Sequence, residues 1–260
     1  MVSENKHQNK QLKVTICIAV LLLLLVSSSI FFAVKIADGK GKTVRIGNGS
    51  VTASPSVTEL TPSPSPQPLF FDNFIDNKNG WYIGDIAGYT RLISNNTLTL
   101  SDTNHKVLTE SLPTSTSFDD FTITAVFTLL KADAHDSVGL YLRGDSNLDH
   151  DYRLEVFGDT SYAISKEWLD TEHNPVITYL IGPTHTNALK PSGQQNTVTV
   201  IMQGSNLTLL INNTVVTTLT DSDYTRGQIA LFVNNGETSD GVTAVFSSIV
   251  VYPLSDHGSK

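Results

Sequence analysis

The chain has 260 residues, a formal net charge of −8, 40% hydrophobic and 16% charged residues, and one cysteine. The charge is segregated: residues 1–68 carry seven Lys/Arg against three Asp/Glu, residues 69–260 ten against twenty-two, a balance of +4 followed by −12. That acidic C-terminal part excludes nucleic acid as a partner and tight docking on anionic lipid, since both require a basic face.

Residues 1–13 form a short polar tail bearing Lys6, Lys10 and Lys13. From Val14 to Val34 follow 21 residues without a charge, including the unbroken run Val20–Val26. As a helix this stretch is about 30 Å long, the thickness of a bilayer's hydrocarbon core, and it is expected to be a transmembrane signal anchor. A cleaved signal peptide could end at Ser27-Ser28-Ser29, but Ile30-Phe31-Phe32-Ala33-Val34 carries the apolar run past that point. Cys17 lies at the start of the run behind Ile16, the wrong place for lipid attachment, so it reads as an inert membrane residue. Lys35, Lys40, Lys42 and Arg45 nearly balance the N-terminal lysines. The tail is placed in the cytoplasm, and the rest outside, from the character of the C-terminal region.

Residues 35–68 read as a polar, Pro/Ser-rich linker. Pro55, Pro62, Pro64, Pro66 and Pro68 disfavour helix in their predecessors, so Ser50–Pro68 is expected to be extended or disordered. Its 19 residues span at most about 60 Å as a polyproline spacer.

Residues 69–260 are expected to form one all-β domain. Alternating or β-branched runs fall at Tyr89–Ile93, Thr97–Ser101, Phe121–Lys131, Val138–Arg143, Tyr152–Phe157, Tyr162–Lys166, Asn196–Gln203, Leu207–Asn212, Val215–Leu219, Gln228–Val233 and Val242–Tyr252. Gly204-Ser205-Asn206 and Asn212-Asn213 read as tight hairpin turns. No apolar period of 3.6 persists for three turns. Many short strands without helices call for a two-sheet antiparallel sandwich or a barrel. With the sole cysteine outside it, such a domain is held by packing alone.

Several phrases, spread in order over residues 69–252, resemble the concanavalin A-like jelly-roll superfamily. They are Phe71-Asp72-Asn73-Phe74, Gly80-Trp81, Phe118-Asp119-Asp120-Phe121, Gly139-Leu140-Tyr141-Leu142-Arg143, Tyr152-Arg153-Leu154-Glu155-Val156, Gly158-Asp159-Thr160-Ser161-Tyr162, Gly227-Gln228-Ile229-Ala230-Leu231 and Val245–Tyr252. Within that superfamily they are most similar to the bacterial 3-keto-disaccharide hydrolase domain and to laminin-G-like modules of bacterial surface proteins. The resemblance implies a jelly roll with a concave sheet face that takes a glycan. It does not choose between binding and catalysis, because such modules host both.

Alternation assigns side chains to faces. Leu140, Leu142, Leu154 and Val156 should point to the core, leaving Tyr141, Arg143, Arg153 and Glu155 as one polar patch on the opposite face. A guanidinium, a carboxylate and an aromatic ring are what sugar recognition uses. The plain alternative is a cross-strand Arg–Glu pair that decorates a sheet. Trp168, at a strand end ahead of the polar loop Asp170–Asn174, is a stacking candidate or a residue packed under that loop. Trp81 reads as a core anchor.

Asp145, Asn147, Asp149 and Asp151 put oxygen atoms at alternate positions, like half of a calcium loop. His150 stands where that loop needs glycine and Val156 where it needs glutamate, so a solvated acidic turn is the competing reading. Asp72, Asp119 and Asp120 could meet a structural calcium where terminal strands converge. No other cofactor is expected. Catalytic signatures are missing: there is no Glu-x-Asp-x-Glu strand, no metal spacing among His105, His135, His150, His173, His185 and His257, and no nucleotide loop. Glu110 and Glu167 lack an i±2 carboxylate partner. If the hydrolase label of the resembling group applies, Glu155, Arg143 and His173 are the first residues to test. Matches to the glycosylation tripeptide at Asn48, Asn95, Asn206 and Asn212 are of the kind short Asn/Thr-rich turns produce by chance.

The expectation is a single-pass surface protein whose outer sandwich binds a glycan or cell-surface polysaccharide without catalysis. A glycan-acting enzyme and a structural or sensory domain for a protein partner are the alternatives.

Overall fold

A computed structural model describes residues 66–254. The expected tail, transmembrane segment Val14–Val34 and most of the linker lie outside the described residues. Within them there are fifteen strands and no helix. In chain order they are β1 (Phe70–Asp72), β2 (Gly84–Ile86), β3 (Tyr89–Ser94), β4 (Thr97–Asp102), β5 (Val107–Ser111), β6 (Phe121–Lys131), β7 (Ser137–Gly144), β8 (Asp151–Phe157), β9 (Ser161–Leu169), β10 (Pro175–His185), β11 (Gln195–Gln203), β12 (Asn206–Ile211), β13 (Thr214–Thr220), β14 (Gln228–Asn234) and β15 (Val242–Pro253). All eleven strands expected from alternation are present; β1, β2, β5 and β10 are additional.

The strands form two antiparallel sheets. The nine-stranded sheet runs β13-β12-β11-β6-β15-β4-β3-β2, with β1 also paired to β15, and the six-stranded sheet runs β10-β9-β8-β7-β14-β5. Asn212 and Asn213 turn β12 into β13 with φ of 48° and 65°, and Gly204 turns β11 into β12 with φ of 54°. Asparagine and glycine tolerate this left-handed region, and the resulting turn matches the twist of a hairpin.

The nine-stranded sheet obeys simple alternation. In β6, Phe121, Ile123, Ala125, Phe127 and Leu129 are buried between the sheets, while Thr122, Thr124, Val126 and Thr128 face outward. β15 keeps its apolar residues inward only because of a bulge. Its pairing with β6 shifts between Phe246 and Ser248, so Phe246, Ile249 and Val251 all reach the core although their spacing is odd.

At one end, Asp72 gathers the Phe74 amide (2.7 Å), Asn79 Nδ2 (2.7 Å) and Trp81 Nε1 (2.6 Å). Trp81 packs against Phe70 and Phe74, as a core anchor should. Across one open side, Arg91 on β3 donates to Glu110 on β5 at 2.8 Å, and the Tyr82 amide donates to the same carboxylate at 3.1 Å. Glu110 is therefore a tie between the edges of the two sheets.

The six-stranded sheet departs from alternation. Every residue of β7, Asp151–Val156 of β8, Ser161–Ser165 of β9 and Ile229–Val233 of β14 are buried on both faces. One face packs on the nine-stranded sheet through Val138, Leu140, Leu142, Leu154, Val156, Ile164 and Leu231. On the other, Tyr141, Ala230 and Phe232 form a second apolar cluster, covered by Leu148 from the β7–β8 loop. The expected solvent-open face is thus largely closed over its centre.

Candidate functional site

The second face of the six-stranded sheet carries the site, and cross-strand register builds it. In β8, Tyr152, Leu154 and Val156 belong to the main core, so Asp151, Arg153 and Glu155 stand on the opposite face. Register then aligns Ala230, Tyr141, Arg153, Ser165 and Tyr179 in one row across five strands. A second row places Phe232, Gly139, Glu155 and Ala163 side by side, and a third sets Asp151 beside Glu167 and Glu167 beside Ile177.

The floor is aromatic and depends on a glycine. A β-carbon at Gly139 would stand 2.5 Å from Phe232 Cζ and 1.9 Å from the Leu154 carbonyl oxygen. The space it leaves lets the Phe232 ring lie across β7, 4.8 Å from the Tyr141 ring. The Arg153 guanidinium sits 4.7 Å over Phe232 and 5.7 Å from Tyr141, a cation–π arrangement. Arg153 Nη2 and Ser137 Oγ both donate to Glu155 Oε1 at 2.9 Å. Gly139→Ala is expected to cost about 2–3 kcal/mol, the scale of an overpacked core, and to shift the near-ultraviolet aromatic spectrum, read by chemical denaturation and circular dichroism.

Around this paired centre lie polar atoms with no partner. Both carboxylate oxygens of Asp151, Arg153 Nε and Ser165 Oγ are buried and make no hydrogen bond. Such atoms are rare in folded proteins because each forfeits its hydration without return. Burial, then the charge of Glu167 across the strand pair, pushes the Asp151 carboxyl up to about 8. Burial likewise raises Glu167, against the pull of Arg153. Burial pushes the Tyr141 hydroxyl up to about 12. Burial therefore favours the neutral form of Asp151, which stands on the same face of β8 as the Arg153 guanidinium.

The structure brings Tyr141, Arg153 and Glu155 together and moves Arg143 away. Arg143 is the extra residue of a bulge: Gln228 pairs with Gly144 and Ile229 with Leu142. Its φ is 54°, and it is 2% exposed. Its guanidinium donates to the carbonyls of Asp119 (2.9 and 2.6 Å), Gly204 (2.7 Å) and Tyr224 (3.1 Å) and to Asp120 Oδ1 (3.1 Å). Expected in the polar patch, Arg143 instead clamps three loops, because the bulge breaks the alternation that placed it beside Tyr141.

Trp168 shares the Tyr162 and Ile164 side of β9, so it stands on the sheet face opposite Arg153 and Glu155. His173 lies exposed at the tip of the β9–β10 turn, with its amide bonded to the Asp170 carbonyl. Neither joins the patch.

The acidic loop is closed on itself. Asp145 Oδ1 accepts the amides of Asn147 and Asp149, and His150 Nδ1 bridges Asp145 and Asp149 at 3.3 and 2.8 Å. Asp151 leaves this group for the strand. At the second calcium candidate, Asp72 is saturated as described, and Asp120 Oδ1 is shared by Arg143 and the Gly204 amide. Donors of the chain occupy several of these oxygens, while Asp145, Asp149 and His150 still bring one ligand atom each within 4.8 Å of one another.

The sequence does not mark Ser165, Ile177 and Tyr179 as residues of the face, and it marks Glu167 only as a carboxylate without a partner. Glu167 and Ser165 join it only through the β8–β9 register. Tyr179 and Ile177, 52% and 47% exposed, form its rim; the run Val176-Ile177-Thr178-Tyr179 between Pro175 and Pro183 was the available signal.

Two antiparallel sheets packed face to face, one of them presenting this polar face, define a concanavalin A-like jelly-roll sandwich. Residues 67–249 match the family described as the 3-keto-alpha-glucoside-1,2-lyase-like domain, and the chain belongs to that family. No curated protein matches the sequence. Among solved structures, the carbohydrate binding module CBM66 from Bacillus subtilis is 17% identical, covering 66% of this chain and 95% of its own, with a TM-score of 0.51. A glycoside hydrolase family 16 endo-glucanase from Bacteroides ovatus, solved with G4G3G-2F-DNP, is 12% identical over 70% of this chain and 99% of its own, at a TM-score of 0.53. A prokaryotic β-1,3-1,4-glucanase (lichenase) from a mouse hindgut metagenome is 12% identical over 71% and 99%, at 0.50. At such identities the likeness is one of fold.

Proposed function

We propose that this chain is a single-pass surface protein whose sandwich, held outside the cell by Val14–Val34 and the Pro/Ser-rich linker, binds a glycan on the second face of its six-stranded sheet. The observation that carries this reading is the set of buried, unpartnered atoms of Asp151, Arg153 and Ser165. A polyhydroxyl ligand supplies donors and acceptors together, which is what a mixed set of unsatisfied acids, guanidinium and hydroxyl needs. Tyr179 on the rim adds a face for the C–H side of a sugar ring. The names of CBM66 and of the glucanases, all on this fold, agree with a carbohydrate ligand.

A second reading, glycan cleavage of the type its family name describes, is favoured by one observation. Asp151 and Glu167 are neighbouring carboxyls with raised pKa values, the pattern of an acid–base pair. Purified full-length protein applied to a glycan array, with parallel assays for new reducing ends and unsaturated products, separates the two. Binding without turnover is the expected result. Turnover lost in Asp151→Asn selects the enzyme, and neither binding nor turnover moves the chain to a domain for a protein partner. Protease added to intact cells should digest residues 69–260; their protection would end the surface placement.

A further inference from the structure

The charges on the face do not balance. Asp151, Glu155 and Glu167 stand around one guanidinium, Arg153, and Arg153 is committed to Glu155 together with Ser137. Asp151 is fully buried, and both its oxygens lack a donor. Glu167, paired with it across β8 and β9, is half-buried, and its carboxylate takes part in no hydrogen bond among the described residues. Two adjacent acids therefore have no protein cation, and beside them Arg153 Nε and Ser165 Oγ have no acceptor.

We propose that the site is built for an amino-glycan, with the protonated amine of a sugar seated between Asp151 and Glu167 and a neighbouring ring hydroxyl on Arg153 Nε and Ser165 Oγ. This rests on the glycan reading above and names its ligand class. An ammonium brings three donors and one positive charge to two carboxyls, whereas a hydroxyl brings one donor and none. A hard divalent cation suits the site less: it needs six or more oxygens, and the face offers two free carboxyls and a hydroxyl next to a fixed guanidinium. Ile177, across from Glu167, and Tyr179, across from Ser165, are exposed on the neighbouring strand, with Asp151 one strand further in.

Charge gives a signature that shape alone does not. Full-length protein is titrated calorimetrically with the tetramers of glucosamine, N-acetylglucosamine and glucose. The glucosamine tetramer should bind about tenfold or more tighter than the other two. Asp151→Asn and Glu167→Gln, each checked for folding by thermal melting, should erase the preference.

Equal binding of all three tetramers overturns the inference while leaving the glycan reading standing; absence of binding to any glycan on the array overturns both. Lysine tetrapeptide binding as tightly as the glucosamine tetramer, or binding abolished by a calcium chelator, also overturns it.

Discussion

Replacing Arg143 by methionine should unfold the sandwich at a temperature roughly 10 °C lower than the parent, with a loss of about 3–5 kcal/mol. The methionine fills the same volume, so the loss is electrical rather than steric. Five donor contacts vanish at once, and the carbonyls of Asp119, Gly204 and Tyr224 lose a charged partner in a place water reaches poorly. Each orphaned acceptor costs about 1–3 kcal/mol. The three carbonyls belong to the entry to β6, the β11–β12 turn and the segment before β14, so the same substitution should loosen all three. Amide hydrogen exchange at Gly204 and Gly227 reads this directly, since the Gly204 amide is held by Asp120, itself an Arg143 partner. Lysine at 143 should recover little, because one ammonium cannot span the fork of a guanidinium. Lys78→Met, which breaks a solvent-exposed pair with Asp76, should leave the midpoint unchanged. An Arg143 variant as stable as Lys78→Met would show the clamp to be ornamental.

The same residue shows where sequence reading succeeds and where it stops. A strand that packs on one side writes its period into the chain, and β6, β11 and β12 were legible for that reason. β1 and β2 span three residues each, too few to show a period. β10 is an edge strand, exposed over most of its length and carrying prolines at Pro175 and Pro183, so it has no buried face to record. The patch of Tyr141, Arg153 and Glu155 followed from alternation with leucine and valine neighbours.

Arg143 broke the rule because the bulge that turns it depends on Gln228, 85 positions away, and no residue beside it announces a positive φ. Asp151 was hidden differently. It follows an acidic turn and reads as that turn's last member, until the β8–β9 register sets it beside Glu167. Local pattern gives the face of a side chain; only pairing gives its neighbours. The centre of the face was legible, and its acid pair and rim were not.

That acid pair should make the protein less stable as pH rises, which is the reverse of what salt-bridged carboxylates do. In the unfolded chain Asp151 releases its proton near pH ~3.9. In the folded protein it does so at about 8. Between these values the folded state binds a proton that the unfolded state has lost, so the stability contributed by the neutral acid is complete below the lower value and drains away as pH climbs to the upper. The slope approaches ~1.4 kcal/mol per pH unit and the total is on the order of 5 kcal/mol. Glu167, also raised, adds to the same fall.

His150 adds a smaller decline above its ordinary value, because its bond to Asp149 raises it and that benefit is lost on deprotonation. Asp145 and Asp221, held low by hydrogen bonds in spite of their partial burial, change stability only below the usual aspartate range and are silent here. Thermal midpoints of the parent should therefore fall by roughly 10–15 °C between pH ~4.5 and ~8.5. Asp151→Asn keeps the shape and removes the ionisation, so its midpoint should exceed the parent's at the alkaline end and vary less than half as much. His150→Gln should retain most of the parent's slope. A parent whose midpoint is flat over this range would mean that Asp151 is ionised and partnered in the folded protein, and the unpaired acid at the heart of the site would have to be given up.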